Sequence, residues 1–278
     1  MLFEIDHLTR YRYSLPVQLG EHLLRFLPPA NAGQRPGLCE VRTDPAPAGL
    51  DQFVDTWGNH VQRVWFQGEY EALEIHAHLE VETLDRGSGA SPGDFALSPD
   101  YGADTAWLGP YRAPLEDPVA LEGFVQPLLA TAAGSGLDFL QLLNRAVHGF
   151  YHRGVRLDGP PLRPAQTLAA GAGVCRDLSV LFMAACRQVG LAARFVSGYQ
   201  QGDGTRQVRY LHAWPEVYLP GGGWFGLDPT HGTPVGPDHV AVAAAPAAAA
   251  VTPVEGGYSF RGAQLDSTLE TEILITAR

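Results

Sequence analysis

The chain contains no lysine, and all 19 of its basic residues are arginine. Asp and Glu together number 30, so the formal net charge is −11. The arginines are scattered and form no basic run, which argues against binding to nucleic acid or to an anionic membrane surface. A hydrophobic fraction of 45% with 18% charged residues is instead typical of a globular protein with a real core.

Cysteine is scarce as well. Cys39, Cys175 and Cys186 are too few and too scattered for a disulfide framework or a cysteine metal knuckle. The sequence also lacks a nucleotide-binding glycine motif and a calcium loop, so we expect neither a cofactor nor a metal. Because the N-terminus has no apolar signal region and no apolar run reaches roughly 18 residues, the expected location is the cytoplasm, away from membranes.

Residues 1–84 alternate apolar and polar positions as half-buried strands do. The clearest case is LEIHAHLEVETL, in which one face carries Leu73, Ile75, Ala77, Leu79 and Val81. An N-terminal β-sandwich-like module is therefore predicted. The Gly-, Ser- and Pro-rich RGSGASPGD lies within a predicted linker at 85–117.

Residues 118–239 change to helical spacing and then back to strands, which predicts an α+β core with helices packed on an antiparallel sheet. Helices are predicted from Pro118 to about Ala133, from Leu137 to about Tyr151 and from Cys175 to Val189. Strands are predicted at about 193–200, 211–219 and 223–229. The last part, 240–278, combines an Ala-rich stretch with C-terminal strands, and the Ala-rich residues at 243–250 are interpreted as a surface segment.

The motif GAGVCRD at 171–177 places Cys175 on the first turn of a predicted helix. The unpaired N–H groups and the macrodipole at such a position favour negative charge, and therefore the thiolate form of a cysteine. The backbone N–H of Cys175 can also face a developing oxyanion. Asp177 in the same turn is interpreted as a structural helix cap.

A thiolate nucleophile needs a base, and the base needs a group that orients it. In YLHAWPEVYLPGGGWFGLDPTHG, a three-residue loop at Pro220–Gly222 would place Asp228 opposite Trp214, on the same face as His212 and one diagonal step away. Glu216 is the rival partner, but four residues along one strand correspond to roughly 13 Å. Asp228 is therefore the predicted orienter.

These motifs resemble the bacterial transglutaminase-like family. The resemblance rests on GVCRD, on LHAWPEVYLPGGGWFGLDPT and the spacing between them, on FYHRG at 150–154, and on LRFLPP and WGN in the N-terminal module. It implies a papain-like core behind a β domain, with Cys175 as nucleophile, His212 as general base and then acid, and Asp228 as orienter. Arg176 is a departure, since the family more often has an amide residue there.

The family's mechanism is acyl transfer through a thioester, so the resemblance implies a peptide or protein amide as substrate. Peptide hydrolysis and transfer to an amine both remain open, as do N-acetyl transfer, glycan-amide hydrolysis and an inactive binding protein. Trp214 and Trp224 either pack in the core or line the acyl-donor groove, which makes them candidate substrate-binding residues. His231 is the spare candidate base. The oligomeric state is left unknown.

Overall fold

The computed structural model describes residues 1–84, 93, 95–97, 99, 101–116, 118–151, 156, 159–202 and 209–278. Most of the predicted linker segment RGSGASPGD therefore lies outside the described residues, as does most of FYHRG at 150–154. The described chain is a mixture of helices and antiparallel sheets, which confirms the predicted α+β class.

The N-terminal part is built from strands. Its first five are β1 (Leu2–Leu27), β2 (Gln34–Asp44), β3 (Gly49–Val54), β4 (His60–Trp65) and β5 (Tyr70–Thr83), in the order β2-β5-β1-β4-β3. The predicted inward face of β5 is confirmed, because the following side chains are at most 2% exposed: Leu73, Ile75, Ala77, Leu79 and Val81. Alternation on one strand was enough to identify the buried face.

The middle of the chain forms a helical layer on a second sheet. The helices are α1 (Gly109–Arg112), α2 (Pro118–Ala132), α3 (Gly136–His148), α4 (Pro164–Ala170) and α5 (Cys175–Gln188), with 3-10 turns at Ala103–Leu108 and Ala248–Val251. The strands are β6 (Ala193–Gln200), β7 (His212–Leu219), β8 (Gly223–Asp228), β9 (Thr233–Pro234) and β10 (His239–Ala245), in the order β10-β6-β7-β8-β9. None of the helices in the described ranges is long and apolar enough to cross a bilayer.

The helix α5 is the centre of this second layer. Leu178, Leu181, Phe182 and Ala185 recur at helical spacing and are all fully buried. They share one core with α2, α3 and the strands β6, β7 and β10. Because α5 packs on β7, the N-terminus of the helix and the first residues of that strand are held in a fixed relation.

The C-terminal strands return to the N-terminal sheet. Both β11 (Val254–Ser259) and β12 (Ser267–Ala277) pair with β1, β12 with its first half and β11 with its second half. Phe3 and Ile5 from the first half of β1 share a core with Leu24 and Phe26 from the second half. Two sets of strands thus enclose one core, as expected for a sandwich-like module.

The predicted linker at 85–117 extends too far. Its later part contains the 3-10 turn Ala103–Leu108 and helix α1, and Leu108 and Tyr111 are 0% and 6% exposed. Tyr111 packs edge-on against Trp107, and its ring lies 5.0 Å from that of Trp224. The contact with Trp224 joins positions more than a hundred residues apart, so the local composition of the segment did not reveal it.

The interpretation of the Ala-rich stretch at 243–250 as a surface segment is wrong for its first part. Ala243 and Ala245 are at most 2% exposed and belong to strand β10, as do the equally buried Val240 and Val242. Val240 and Val242 belong to the core of the N-terminal module, although β10 pairs with β6 of the second sheet. The segment forms a strand because it is buried between the two modules, and not because its residues have a high strand propensity.

Side chains of the N-terminal module satisfy the outer edge of β10. The buried amide of Gln34 donates from Nε2 to the carbonyl of Ala241 (2.7 Å) and accepts at Oε1 from the N–H of the same residue (2.9 Å). Asn59 Oδ1 accepts from the N–H of Ala244 at 2.7 Å. An edge strand whose polar groups are bonded in this way does not need another strand beside it.

Replacing Gln34 with alanine removes the hydrogen-bond partners of the partly buried N–H and C=O of Ala241. We expect Gln34→Ala to lower the free energy of unfolding by about 1–3 kcal/mol in urea denaturation. Gln52→Ala on β3 is the matched control, because Gln52 is exposed, and its effect should stay within about 0.5 kcal/mol. If the two substitutions changed the free energy of unfolding equally, the hydrogen bonds between Gln34 and Ala241 would not contribute to holding the two modules together.

Candidate active site

The candidate nucleophile stands at the start of α5. Gly171 adopts φ = 62° where α4 ends, and Val174 is the extended N-cap of α5, so Cys175 is the first helical residue. The carboxylate of Asp177 accepts a hydrogen bond from the N–H of Val174 at 3.0 Å. This capping fixes the thiol in the first turn, next to the unpaired N–H groups of the helix.

Asp177 has the structural role that its position predicts. The residue is 1% exposed, and its Oδ1 accepts from the N–H of Leu162 at 2.8 Å while it also pairs with Arg156. The carboxylate therefore ties the segment before α4 to the start of α5. It does not face the thiol as a base.

The hairpin β7–β8 has the register that its loop length predicts. Glu216 pairs with Gly226 and Leu219 with Gly223, so the loop contains the three residues Pro220–Gly222. An odd loop length keeps partner residues on the same face of the two strands. The first residue of β7 and the last residue of β8 are thereby brought onto one face.

The structure brings Cys175, His212 and Asp228 together. His212 Nε2 donates to Asp228 Oδ2 at 2.8 Å, and the ring of His212 also interacts electrostatically with the side chain of Cys175. Since Nε2 is engaged by the carboxylate, Nδ1 is the ring atom left for the thiol. Cys175 is partly exposed, while His212 is largely buried and Asp228 is fully buried. The three groups form one continuous chain from the solvent-facing sulfur to a buried carboxylate.

Glu216, the rival orienter, is engaged elsewhere. Its Oε2 accepts from Nε of Arg194 at 2.7 Å, and the two residues face each other on neighbouring strands β7 and β6. The guanidinium of Arg194 also lies over the ring of Trp224, 4.3 Å from its centroid. The distance argument against Glu216 therefore agrees with the structure.

The carboxylate of Asp228 accepts hydrogen bonds from three histidines rather than one. In addition to His212, its Oδ2 accepts from His231 Nδ1 at 2.7 Å and from His239 Nε2 at 3.0 Å. Its other oxygen accepts from the N–H of Thr230 at 2.8 Å. Burial alone would raise the pKa of Asp228, but the three histidines lower it far below its usual range. The carboxylate is thus ionised over the whole ordinary pH range.

His239 is a buried cation that sequence reasoning missed. Its Nε2 faces Asp228, and its Nδ1 faces Asp238 Oδ1 at 2.8 Å. Since carboxylate oxygens only accept, both ring nitrogens must carry protons. Burial lowers the pKa of His239, but the bonds to Asp228 and Asp238 raise it above its ordinary value overall. Pairing of β10 with β6 places this residue, and no local pattern indicates that pairing.

His212 also favours the protonated form. Burial lowers the pKa of His212, but the charge of Asp228, the hydrogen bond to it and the contact with Cys175 raise the pKa to about 10. The imidazole is therefore held as a cation beside the thiol at neutral pH. Such a neighbour favours a negative charge on sulfur.

The same cluster contains the donor types that a divalent cation would use. The ligand atoms of His212, Asp228, His231 and His239 all lie within 4.8 Å of one another. Each imidazole, however, already donates to Oδ2 of Asp228, and a metal ion would have to displace these protons and remove His212 from the thiol. Hydrogen bonding accounts for the arrangement, so we assign no metal to it.

A cleft of about 1330 Å³ opens over the thiol. Cys175, His212 and His231 line it from the helix–sheet core. The opposite wall comes from the N-terminal module, through Tyr11 of β1 and Thr271 of β12. The site therefore lies between the two modules, as ligand sites often do.

Trp214 and Trp224, the candidate substrate-binding residues of the sequence analysis, are not among the described residues that line this cleft. Trp214 is 1% exposed and packs against the ring of His239, with centroids 5.2 Å apart. Trp224 packs against Tyr111 and the guanidinium of Arg194. The structure gives both rings a packing role, Trp214 directly behind the histidines. Period-2 alternation placed Trp214 on the same strand face as His212 but could not show what covers that face.

Comparison with known families gives two matches along the chain. Residues 3–82 match the model of the bacterial transglutaminase-like N-terminal region, and residues 139–229 match the core model of the transglutaminase-like superfamily. The second match contains Cys175, His212 and Asp228. It ends just before His231 and His239.

Several relatives align over almost the whole chain. An uncharacterized protein of Mycobacterium leprae is 25% identical over 96% of both chains, and one of Mycobacterium tuberculosis is 28% identical over 91% of this chain and 86% of its own. A crystal structure from Cytophaga hutchinsonii, provisionally described as a cysteine protease, has 18% identity and a TM-score of 0.76, covering 100% of this chain and 91% of that one. The chain thus carries the bacterial transglutaminase-like N-terminal region ahead of a core of the transglutaminase-like superfamily.

Proposed function

We propose that this protein catalyses thiol-dependent acyl transfer on a peptide or protein amide. The observation that carries the proposal is the continuous contact from the partly exposed Cys175 through His212 to the buried Asp228. In this assignment Cys175 is the nucleophile, His212 the general base and acid, and Asp228 the group that orients the imidazole.

The proposed reaction has two stages. The sulfur of Cys175 attacks the amide carbonyl carbon while His212 holds the proton that the thiol gives up, and the backbone N–H of Cys175 faces the oxyanion. The C–N bond then breaks, the amine leaves with the proton from His212, and a thioester remains. An acceptor releases the acyl group in the second stage, with His212 taking the proton of the acceptor.

Water is the acceptor that the geometry favours. Cys175 is partly exposed in an open cleft, so the thioester carbonyl would be reachable by solvent. Transfer to an amine remains the other form of the same chemistry. The amine could not come from a lysine side chain of another copy of this protein, because the chain has none.

Selective alkylation tests the nucleophile and its base. We expect iodoacetamide at pH 6 to label Cys175 at least about tenfold faster than glutathione, and His212→Ala to remove most of that advantage. Labelling is followed by mass spectrometry of each cysteine. Cys39 and Cys186 are internal controls, because burial raises the pKa of both thiols.

Cys175→Ser is the matched control and should abolish fast labelling without changing the fold. Labelling of Cys175 no faster than glutathione would contradict the assignment of an activated nucleophile. If His212→Ala left the rate unchanged, His212 would not be the base.

The role of Asp228 predicts a characteristic pH dependence of stability. Asp228→Asn removes the charged acceptor of a buried ion cluster, and we expect it to cost about 3–5 kcal/mol near pH 5.5. His231→Asn is the control, since the His231 side chain is 44% exposed and its loss should cost under about 1 kcal/mol.

The cost of Asp228→Asn should shrink at both ends of the pH range. The lowered pKa of Asp228 gives stability that is complete above its unfolded value of 3.8 and fades as the pH falls. The raised pKa of His212 gives stability that is complete below 6.5 and fades as the pH rises towards about 10. Urea unfolding at pH 3, 5.5 and 9.5 measures the difference, and a cost independent of pH would rule out the charged pair.

A further inference from the structure

The charges that line the cleft differ from those of the chain as a whole. The protein carries a net charge of −11, yet among the described residues that line the cleft there is no Asp or Glu. The charged side chains in that lining are three arginines, Arg156, Arg176 and Arg209. His212 is a cation as well, because its pKa is raised to about 10, but its charge is partly balanced by the ionised carboxylate of Asp228. A cationic cleft in an acidic protein indicates selection for an anionic ligand.

The three arginines do not contribute equally to the positive charge of the cleft lining. Arg156 pairs with Asp177, so its charge is balanced within the helix cap. Arg176 follows the nucleophile directly on the first turn of α5. Arg209 forms no ion pair with an acidic residue within the described ranges, so no described carboxylate balances its charge at the cleft wall.

The chain makes room for the guanidinium of Arg209. Gly202, which also lines the cleft, adopts φ = 72°, and a Cβ added there would lie 2.2 Å from Nη1 of Arg209. The guanidinium of Arg209 therefore packs against the backbone of Gly202 at the cleft wall. Any larger residue at position 202 would push the guanidinium away from this place.

We propose that the cleft selects acyl donors that carry a carboxylate close to the reacting amide, and that Arg209 and Arg176 recognise this carboxylate. The inference rests on the proposed function, which makes the ligand a peptide. In a peptide the anion is the side chain of Glu or Asp or the C-terminal carboxylate. A guanidinium binds such a group through paired N–H donors that match its two oxygens.

A pair of alkylating reagents tests this inference without knowledge of the natural substrate. Iodoacetate and iodoacetamide both form an S–C bond with the thiol and release iodide, but only iodoacetate carries a carboxylate. For each protein the ratio of the two rates at Cys175 is divided by the same ratio for glutathione. Since His212 also attracts the anionic reagent, the arginine variants rather than the wild-type ratio decide the question.

We expect Arg209→Gln and Arg176→Gln each to lower the normalised ratio roughly three- to tenfold, because a change in the reactivity of the thiol itself affects both reagents and cancels in the ratio. The wild-type ratio should also fall in 0.5 M NaCl, where charges are screened within about 4 Å. Arg35→Gln is the matched control, because Arg35 is 69% exposed on β2, away from the cleft, and it should leave the ratio unchanged.

Protection by peptides gives the second readout. Triglutamate should protect Cys175 from iodoacetamide at a concentration at least about fivefold lower than triglutamine does, and Arg209→Gln should remove this difference. Unchanged alkylation ratios in both arginine variants would overturn the inference. Equal protection by the two peptides, which both carry a C-terminal carboxylate, would assign the recognised anion to the C-terminus if Arg209→Gln weakens the protection, and would overturn the inference if Arg209→Gln leaves it unchanged. Failure of the proposed function would look different, because Cys175 would then react slowly with both reagents.

Discussion

A single oxygen, Oδ2 of Asp228, accepts hydrogen bonds from three histidines that lie on different stretches of the chain. His212 begins β7, His231 follows β8, and His239 begins β10. Because the carboxylate is fully buried, these bonds are the main reason why it can remain ionised there. The position of His212 beside Cys175 depends on this anion, and so does the packing of three elements around it.

The part of the site that is local in sequence could be predicted. The position of Cys175 follows from glycines before a helical repeat, and the pairing of His212 with Asp228 follows from the length of one hairpin loop. Both arguments use periodicity and parity over fewer than about twenty residues, a range in which backbone geometry dominates. The fold class followed in the same way, from alternation in β5 and helical spacing in α5.

The parts that depend on distant contacts could not be predicted. His239 was missed because β10 looks like a weak Ala-rich segment and becomes a strand only when the N-terminal module covers it. The part of the cleft formed by the N-terminal module was missed for the same reason, because it also depends on contacts between distant segments. Thr271 lines the cleft only because β12 pairs with β1. Trp214 was placed on the correct strand, but what covers its ring depends on His239.

The central claim, that an ionised Asp228 holds His212 as a cation next to the thiol, is tested most directly by nitrogen NMR of the histidine side chains. The ¹⁵N shifts of His212 in histidine-labelled protein report its protonation as the pH is raised. We predict that both ring nitrogens stay protonated well above pH 8, and that in Asp228→Asn the ring titrates at or below its ordinary value of 6.5. A wild-type His212 that titrates near or below 6.5 would contradict the account.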